Sequence, residues 1–388
     1  MASRTGRPFL QIPGPTDVPD SVLRAMAAPT IDHRGPRFAA LTLRLLDALK
    51  PVFGTGGPVV IHPASGTGAW EAALVNTLSP GDRVLFCETG HFATLWQRMA
   101  RSLGLDVLFL PGDWRHGADP DAVHRELAAD RQHLIKAVCV VHNETSTGVT
   151  SRVPAIRQAL DATGHPALLL VDAVSSLAST DYRHDAWGVD VTVAGSQKGL
   201  MLPPGLGLNA VSDKALRAAR TARLPRSFWD WAPVIEANRH GFFPSTPATN
   251  LLYGLEEALR LLHAEGLPQV FARHARHGAA TRAAVHGWGL DVLCADPREY
   301  SATLTAVVLP GGHDADHVRA LVLDRFGMSL GAGLGRLTGR VLRIGHLGRL
   351  GDLTLAGTLA GVQMGLRLAG VPIDPGGLDA ALDLLRAP

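Results

Sequence analysis

ALLLVDAVSSLASTDYRHDAWGVDVTVAGSQK, residues 167–198, holds two short apolar runs, each followed at once by small polar residues and one ionisable group. The first run is closed by Asp172, and the second leads through Gly195, Ser196 and Gln197 to Lys198. Apolar runs of this length without polar alternation read as strands buried on both faces. In open α/β sheets, ligands bind outside the carboxyl ends of such strands, so the stretch predicts a carboxylate and an amine converging on one crevice. A lysine placed there can form a Schiff base with an aldehyde cofactor, and an acid nearby can stabilise a pyridinium nitrogen. Taken alone, Asp172 reads better as the cap of a following helix, and Lys198 as a solvated loop cation. The rest of the chain decides between the two.

Outward from this stretch, apolar runs at 59–62, 83–87, 105–110 and 135–141 predict further strands, with helical patterns at 69–77, 92–103, 120–129 and 154–161 between them. Such alternation implies βα units in a mainly parallel sheet with both faces covered. The run 206–211 predicts a seventh strand. Leu251, Leu252, Leu255, Leu259 and Leu262 then repeat at helical spacing. After Gly266 the pattern becomes helix, strand, helix, strand, helix, with strands expected at 303–309 and 341–344. The expected organisation is an N-terminal arm (1–20), a large α/β domain (21–263) carrying a mostly parallel seven-stranded sheet, and a smaller C-terminal α/β domain (264–388).

Composition narrows the function. A chain of 388 residues, 46% hydrophobic and 19% charged, has ample capacity for a core. Its 37 basic and 35 acidic side chains are interspersed, which gives no clustered basic face for nucleic acid. Cys87, Cys139 and Cys294 are too few and too far apart to suggest a disulfide framework or a zinc site. The N-terminal stretch has Arg4 and Arg7 but no apolar core of a signal peptide, and no apolar run is long enough to cross a membrane. The expectation is a soluble, cytoplasmic protein.

Three further features bear on the crevice. Ser65, Gly66, Thr67 and Gly68 stand between the 59–62 strand and the next helix, where free N–H groups and the helix dipole are aimed at an anion. The glycines match neither the Walker pattern nor the dinucleotide fingerprint, and a plain turn with an ordinary cap would look the same. His142, Asn143, Glu144, Thr145, Ser146, Thr147 and Gly148 follow the 135–141 strand, either as hydroxyls reaching a ligand or as a polar turn. Arg343 interrupts the apolar run 341–344, so it either points to solvent or pairs, and a guanidinium can grip a carboxylate through two parallel hydrogen bonds. His33, His62, His142 and His346 have no metal-site spacing and read as hydrogen-bonded structural histidines.

In these residues the chain resembles the class V aminotransferases of pyridoxal phosphate (PLP) fold type I, and within them the serine-glyoxylate and alanine-glyoxylate aminotransferases. The resemblance runs through Pro13 to Thr16, Asp32 to Arg34, Ser65 to Trp70, His142 to Gly148, Asp172 to Ser176, Gly195 to Lys198, Thr246 to Thr249 and Arg343 to Gly348. It implies that Lys198 is the Schiff-base lysine and Asp172 the partner of the pyridine nitrogen. It implies that Ser65, Gly66 and Thr67 bind the phosphate with help from Gln197, and that Phe92 and Val174 cover the two ring faces. Thr145 is implied to hydrogen-bond the ring hydroxyl, and Arg343 to take the substrate carboxylate. It further implies a homodimer with shared sites, to which Phe243 and Thr246 contribute across the interface. The implied reaction moves an amino group from serine or alanine to glyoxylate, a 2-oxo acid, by a ping-pong route. Ser245 stands where several serine-glyoxylate relatives have tyrosine, which leaves aspartate or another amino acid open as donor, and the sequence beyond Ile373 departs from the relatives. A PLP lyase of the cysteine desulfurase type and a non-catalytic PLP-fold binding protein rank behind. The first is disfavoured because Cys87 and Cys139 fall in expected strands, the second because Lys198, Asp172 and Arg343 are all retained.

Overall fold

The computed structural model describes residues 9–386, so Arg4, Arg7 and the start of the expected arm lie outside the described residues. Seven strands form the larger sheet, in the order Val59–Ala64, Gly205–Val211, Val191–Gly195, Leu168–Asp172, Ile135–Val141, Arg83–Cys87, Asp106–Leu110. From Val191–Gly195 to Asp106–Leu110 all neighbours are parallel, whereas Gly205–Val211 is antiparallel to both of its neighbours. A parallel return needs a crossover of about a dozen residues or more, usually with a helix. Residues 196–204 contain no helix, so the chain turns back on itself.

Successive side chains of Leu168–Asp172 enter different cores. Leu169 and Val171 pack with Phe38, Leu45 and Val138, while Leu168 and Leu170 pack with Trp70, Phe86 and Trp96. With both faces buried, the strand has no polar positions until its end, which is why it reads as an unbroken apolar run. Helices Gly66–Thr77, His91–Ser102, Pro120–Ala129 and Val153–Thr163 fall where helical patterns were expected, Pro120–Ala129 with both ends as expected and the others with ends displaced by one to three residues.

A second sheet has five strands in the order Phe9–Gln11, Met328–Ala332, Val341–Gly345, Leu304–Val308, Asp291–Val292. Val307, Leu330, Leu342 and Ile344 meet Leu355, Leu359 and Val362 in a core of their own. Only two of these strands were expected. Asp291–Val292 is too short to show a period, Met328–Ala332 (MSLGA) carries a serine and a glycine, and Phe9–Gln11 pairs across most of the chain length with Met328–Leu330. Among the described residues no helix is long and apolar enough to cross a membrane.

Candidate active site

The expected pair comes together. Asp172 ends its strand 4% exposed, with Oδ2 accepting the indole N–H of Trp70 at 3.0 Å and Oδ1 accepting the N–H of Val174 at 2.7 Å. Burial pushes its carboxyl up to about 7, with Glu144 adding to the rise and the Val174 and Trp70 N–H groups and Lys198 opposing it. Lys198 is 8% exposed in the loop after Val191–Gly195. Burial and the Arg343 charge lower its amine to about 8, against the pull of Asp172. This excludes the solvated-cation reading. The amine donates to the Pro13 carbonyl, and Thr16 is tied to the same loop through Gln197 O at 3.1 Å and Lys198 O at 3.3 Å. A Cβ on Gly14, which has φ +96°, would overlap the lysine side chain, so only glycine brings the arm this close.

The cradle differs from expectation in one respect: the helix begins at Gly66, so Gly66 and Thr67 form its first turn. Ser65 is the N-cap, and its side chain makes no capping bond, which leaves the first N–H groups for another acceptor. A Cβ on Gly66 would collide with Val174, which sets that valine against the mouth of the cradle. Gln197 reaches the same place: its Oε1 is buried without a partner, and it lies 3.0 Å from where a Cβ on Gly195 would stand.

Phe92 is half-buried at the start of His91–Ser102, its ring 6.5 Å from that of Trp70, and Trp70 stacks on Trp96 at 5.8 Å. Thr145 lies in a tight hairpin of Asn143–Glu144 and Val149–Thr150, donating to Ser175 Oγ at 2.8 Å, and Ser175 in turn donates to the Asn143 carbonyl at 2.8 Å. Arg343 is 7% exposed within the smaller sheet, which excludes the exposed edge-strand reading. Its Nε donates to Ala332 O at 2.7 Å and its Nη1 to Thr145 O at 2.6 Å, so it ties the smaller sheet to this hairpin at the site. Burial lowers its guanidinium to about 10, which leaves it charged at neutral pH.

Phe243 packs edge-on against Phe38 at 6.1 Å, and Thr246 lies exposed beside exposed Ser245. His142 and His346 are hydrogen-bonded, to Ser176 and to Thr305 and Ala302. His33 and His62 depart from expectation, since the Nε2 of each is buried without a partner. For His62 the reason is its surroundings, because the rings of Phe228 and Trp229 pack on it at 6.0 and 5.2 Å and offer no acceptor. Trp70, Ser175 and Glu144 belong to the site and were given no role in the sequence reading. Each lies inside a quoted motif, but what it bonds depends on neighbours far along the chain.

The site thus offers an amine for an aldehyde, a carboxylate for a ring nitrogen, and a helix N-terminus without a side-chain cap, beside which the Gln197 amide can turn its N–H groups toward a phosphate. These fit PLP, with Lys198, Asp172 and the Ser65 to Thr67 turn as the residues that would hold it.

The family pattern described as aminotransferase class-V matches residues 47–362. The serine-glyoxylate aminotransferase of Methylorubrum extorquens is 50% identical over 99% of this chain and 97% of its own length. The L-aspartate-glyoxylate aminotransferase of Paracoccus denitrificans is 44% identical over 97% of this chain and 95% of its own. Among solved structures, the ureidoglycine-glyoxylate aminotransferase of Bacillus subtilis superposes with a TM-score of 0.90 at 28% identity, covering 100% of both chains.

Proposed function

The chain belongs to the class V aminotransferase family of PLP-dependent enzymes, and from that premise we propose that it transfers the amino group of serine or alanine to glyoxylate, giving glycine and a 2-oxo acid. The observation that carries this reading is the buried amine of Lys198 beside the buried carboxylate of Asp172, with the charged Arg343 guanidinium within range to perturb the amine.

PLP supplies an electron sink that makes the substrate's Cα–H bond acidic. The protein's residues supply the rest. Arg343, fixed by two backbone carbonyls, binds the substrate carboxylate with its remaining N–H groups. Asp172, held by Trp70 and Val174, keeps a proton on the ring nitrogen. Lys198, whose amine is already lowered to about 8, would serve as the base that takes the proton from Cα and as the acid that gives it to the carbon two atoms away, on the other side of the transferred nitrogen. Ser65, Gly66, Thr67 and Gln197 would hold the phosphate, and Phe92 and Val174 would bracket the ring. Thr145, linked to Ser175, would meet the ring hydroxyl. The same residues serve both halves of a ping-pong cycle.

Also part of the proposal are the division into arm, large and small domains at 1–20, 21–263 and 264–388, a cytoplasmic location, and a homodimer in which Phe243 and Thr246 serve the partner's site. Separate hydrophobic cores support the division, although the Phe9–Gln11 strand of the arm lies in the smaller sheet. The exposure of Ser245 and Thr246 supports the shared site.

A rate matrix of serine, alanine and aspartate against glyoxylate and pyruvate tests the assignment. Serine or alanine with glyoxylate is expected to be fastest. Aspartate in first place would favour the activity of the Paracoccus relative and call for a second cation in the pocket. Cysteine desulfuration is disfavoured because burial raises the thiols of Cys87 to about 12 and Cys294 to about 11, far from nucleophilic thiolates.

A further inference from the structure

Glu144 takes no part in the chemistry above, yet it is 0% exposed where three site elements meet. Its Oε2 accepts Ala93 N–H at 3.1 Å and its Oε1 accepts Phe92 N–H at 3.3 Å, so the carboxylate caps helix His91–Ser102 from a separate segment. The helix's own N-cap, Gly90, has no side chain to do this, and a Cβ there would run into Glu144 and Ser146. Oε1 also accepts Ser146 N–H at 3.0 Å and the Ser146 hydroxyl at 2.6 Å, and Ser146 Oγ in turn accepts His91 N–H at 2.9 Å. The adjacent carbonyl, that of Thr145, holds Arg343. The charged groups that feel Glu144 are Arg343, His91 and Asp172; its charge favours the protonated form of each, adding to the effect of burial at Asp172 and opposing the larger lowering by burial at Arg343 and His91.

We infer that Glu144 is a positioning residue whose carboxylate fixes the start of helix His91–Ser102, and so the Phe92 ring, in register with the Arg343 guanidinium. The inference rests on the proposed cofactor and reaction. A carboxylate suits the task because every partner around it is a donor and the helix N-terminus carries partial positive charge. Glutamine would turn an N–H donor toward one of those donors, and aspartate would keep the charge but shorten the reach.

The test compares PLP-loaded wild type, E144Q, E144D and S146A by the visible circular dichroism of the bound cofactor, by KM and kcat for the amino donor measured separately, and by thermal melting. E144Q is expected to lose visible dichroism and to raise KM about tenfold, the scale of one charge-assisted hydrogen bond, with E144D recovering part of both. S146A, which removes only the hydroxyl linking the carboxylate to His91, is expected to move both readouts the same way by less. An E144Q protein that melts earlier but keeps wild-type dichroism and KM would make Glu144 an ordinary helix cap and overturn the inference. If E144Q does not fold, unchanged dichroism and KM in S146A overturn it instead. Absence of visible dichroism in the wild type would overturn the proposed function and this inference together, and is told apart by appearing in the unaltered protein.

Discussion

Asp172 and Lys198 are both buried and each feels the other's charge, and the cofactor-free protein bears the cost of both charges. Asp172 is raised from 3.8 to about 7, so the stability it contributes is complete below about pH 4 and is lost as pH rises through about 7. Lys198 is lowered from 10.5 to about 8, so its contribution is complete above about pH 10.5 and is lost as pH falls through about 8. Between about pH 7 and 8 both penalties apply. D172N removes the first, so it is expected to raise the melting temperature of the cofactor-free protein at pH 8 and to flatten its pH dependence between about 4 and 7. It should also slow amino transfer at least about a hundredfold. A lower melting temperature for cofactor-free D172N at pH 8 would contradict this. W70F, which deletes the donor to Asp172 Oδ2, is expected to reduce kcat about tenfold, as befits a lost hydrogen bond to a charged group; steady-state kinetics check it. At this scale, the position of Asp172 and Lys198 at strand ends was legible because buried parallel strands leave no room for polar residues until they stop. The burial of Arg343 was not, because exposure within a strand depends on sheet order, and a sequence does not display which strands flank it.

At the scale of elements, the helix Gly66–Thr77 both completes a crossover and presents its first turn to the site. Its glycine at 66 is required by the approach of Val174. G66A is therefore expected to weaken PLP binding about tenfold or more while the cofactor-free protein stays folded, since a single methyl shifts the valine against the cradle. Equilibrium dialysis checks this, and an unchanged affinity would show that the cradle lies elsewhere. The sequence put the Ser65 to Gly68 turn after the strand, as in the structure, but set the helix start late, because Ser-Gly-Thr-Gly has poor helix propensity and only the fixed end of the preceding strand forces the turn to begin. The smaller sheet was half legible for a related reason. Its strand Met328–Ala332 holds Gly331, where a Cβ would strike Pro13 and Arg343, so close packing rather than strand propensity chose the residue.

Across the whole molecule, the two sheets are fastened beside the site by contacts between loops. Arg336 stacks on the Trp114 ring at 4.2 Å and donates to Gly112 O at 3.1 Å, and Trp114 donates to Glu88 at 2.8 Å. Nearby, Gly117 N–H donates to Glu299 at 2.7 Å and Arg115 to Leu293 O at 3.2 Å. Because Arg343 takes its orientation from both sides of this junction, R336A is expected to raise the donor KM severalfold with kcat nearly unchanged. The melting temperature should change little, the half-exposed cation–π contact being worth about 1 kcal/mol. An unchanged KM would show that the clasp does not steady the carboxylate grip. The proposed reaction turns on one amine. Borohydride reduction of the PLP-loaded protein, followed by peptide mapping, is expected to leave the cofactor's mass on the peptide containing Lys198 and on no other; a label on a different lysine, or none, would contradict the account.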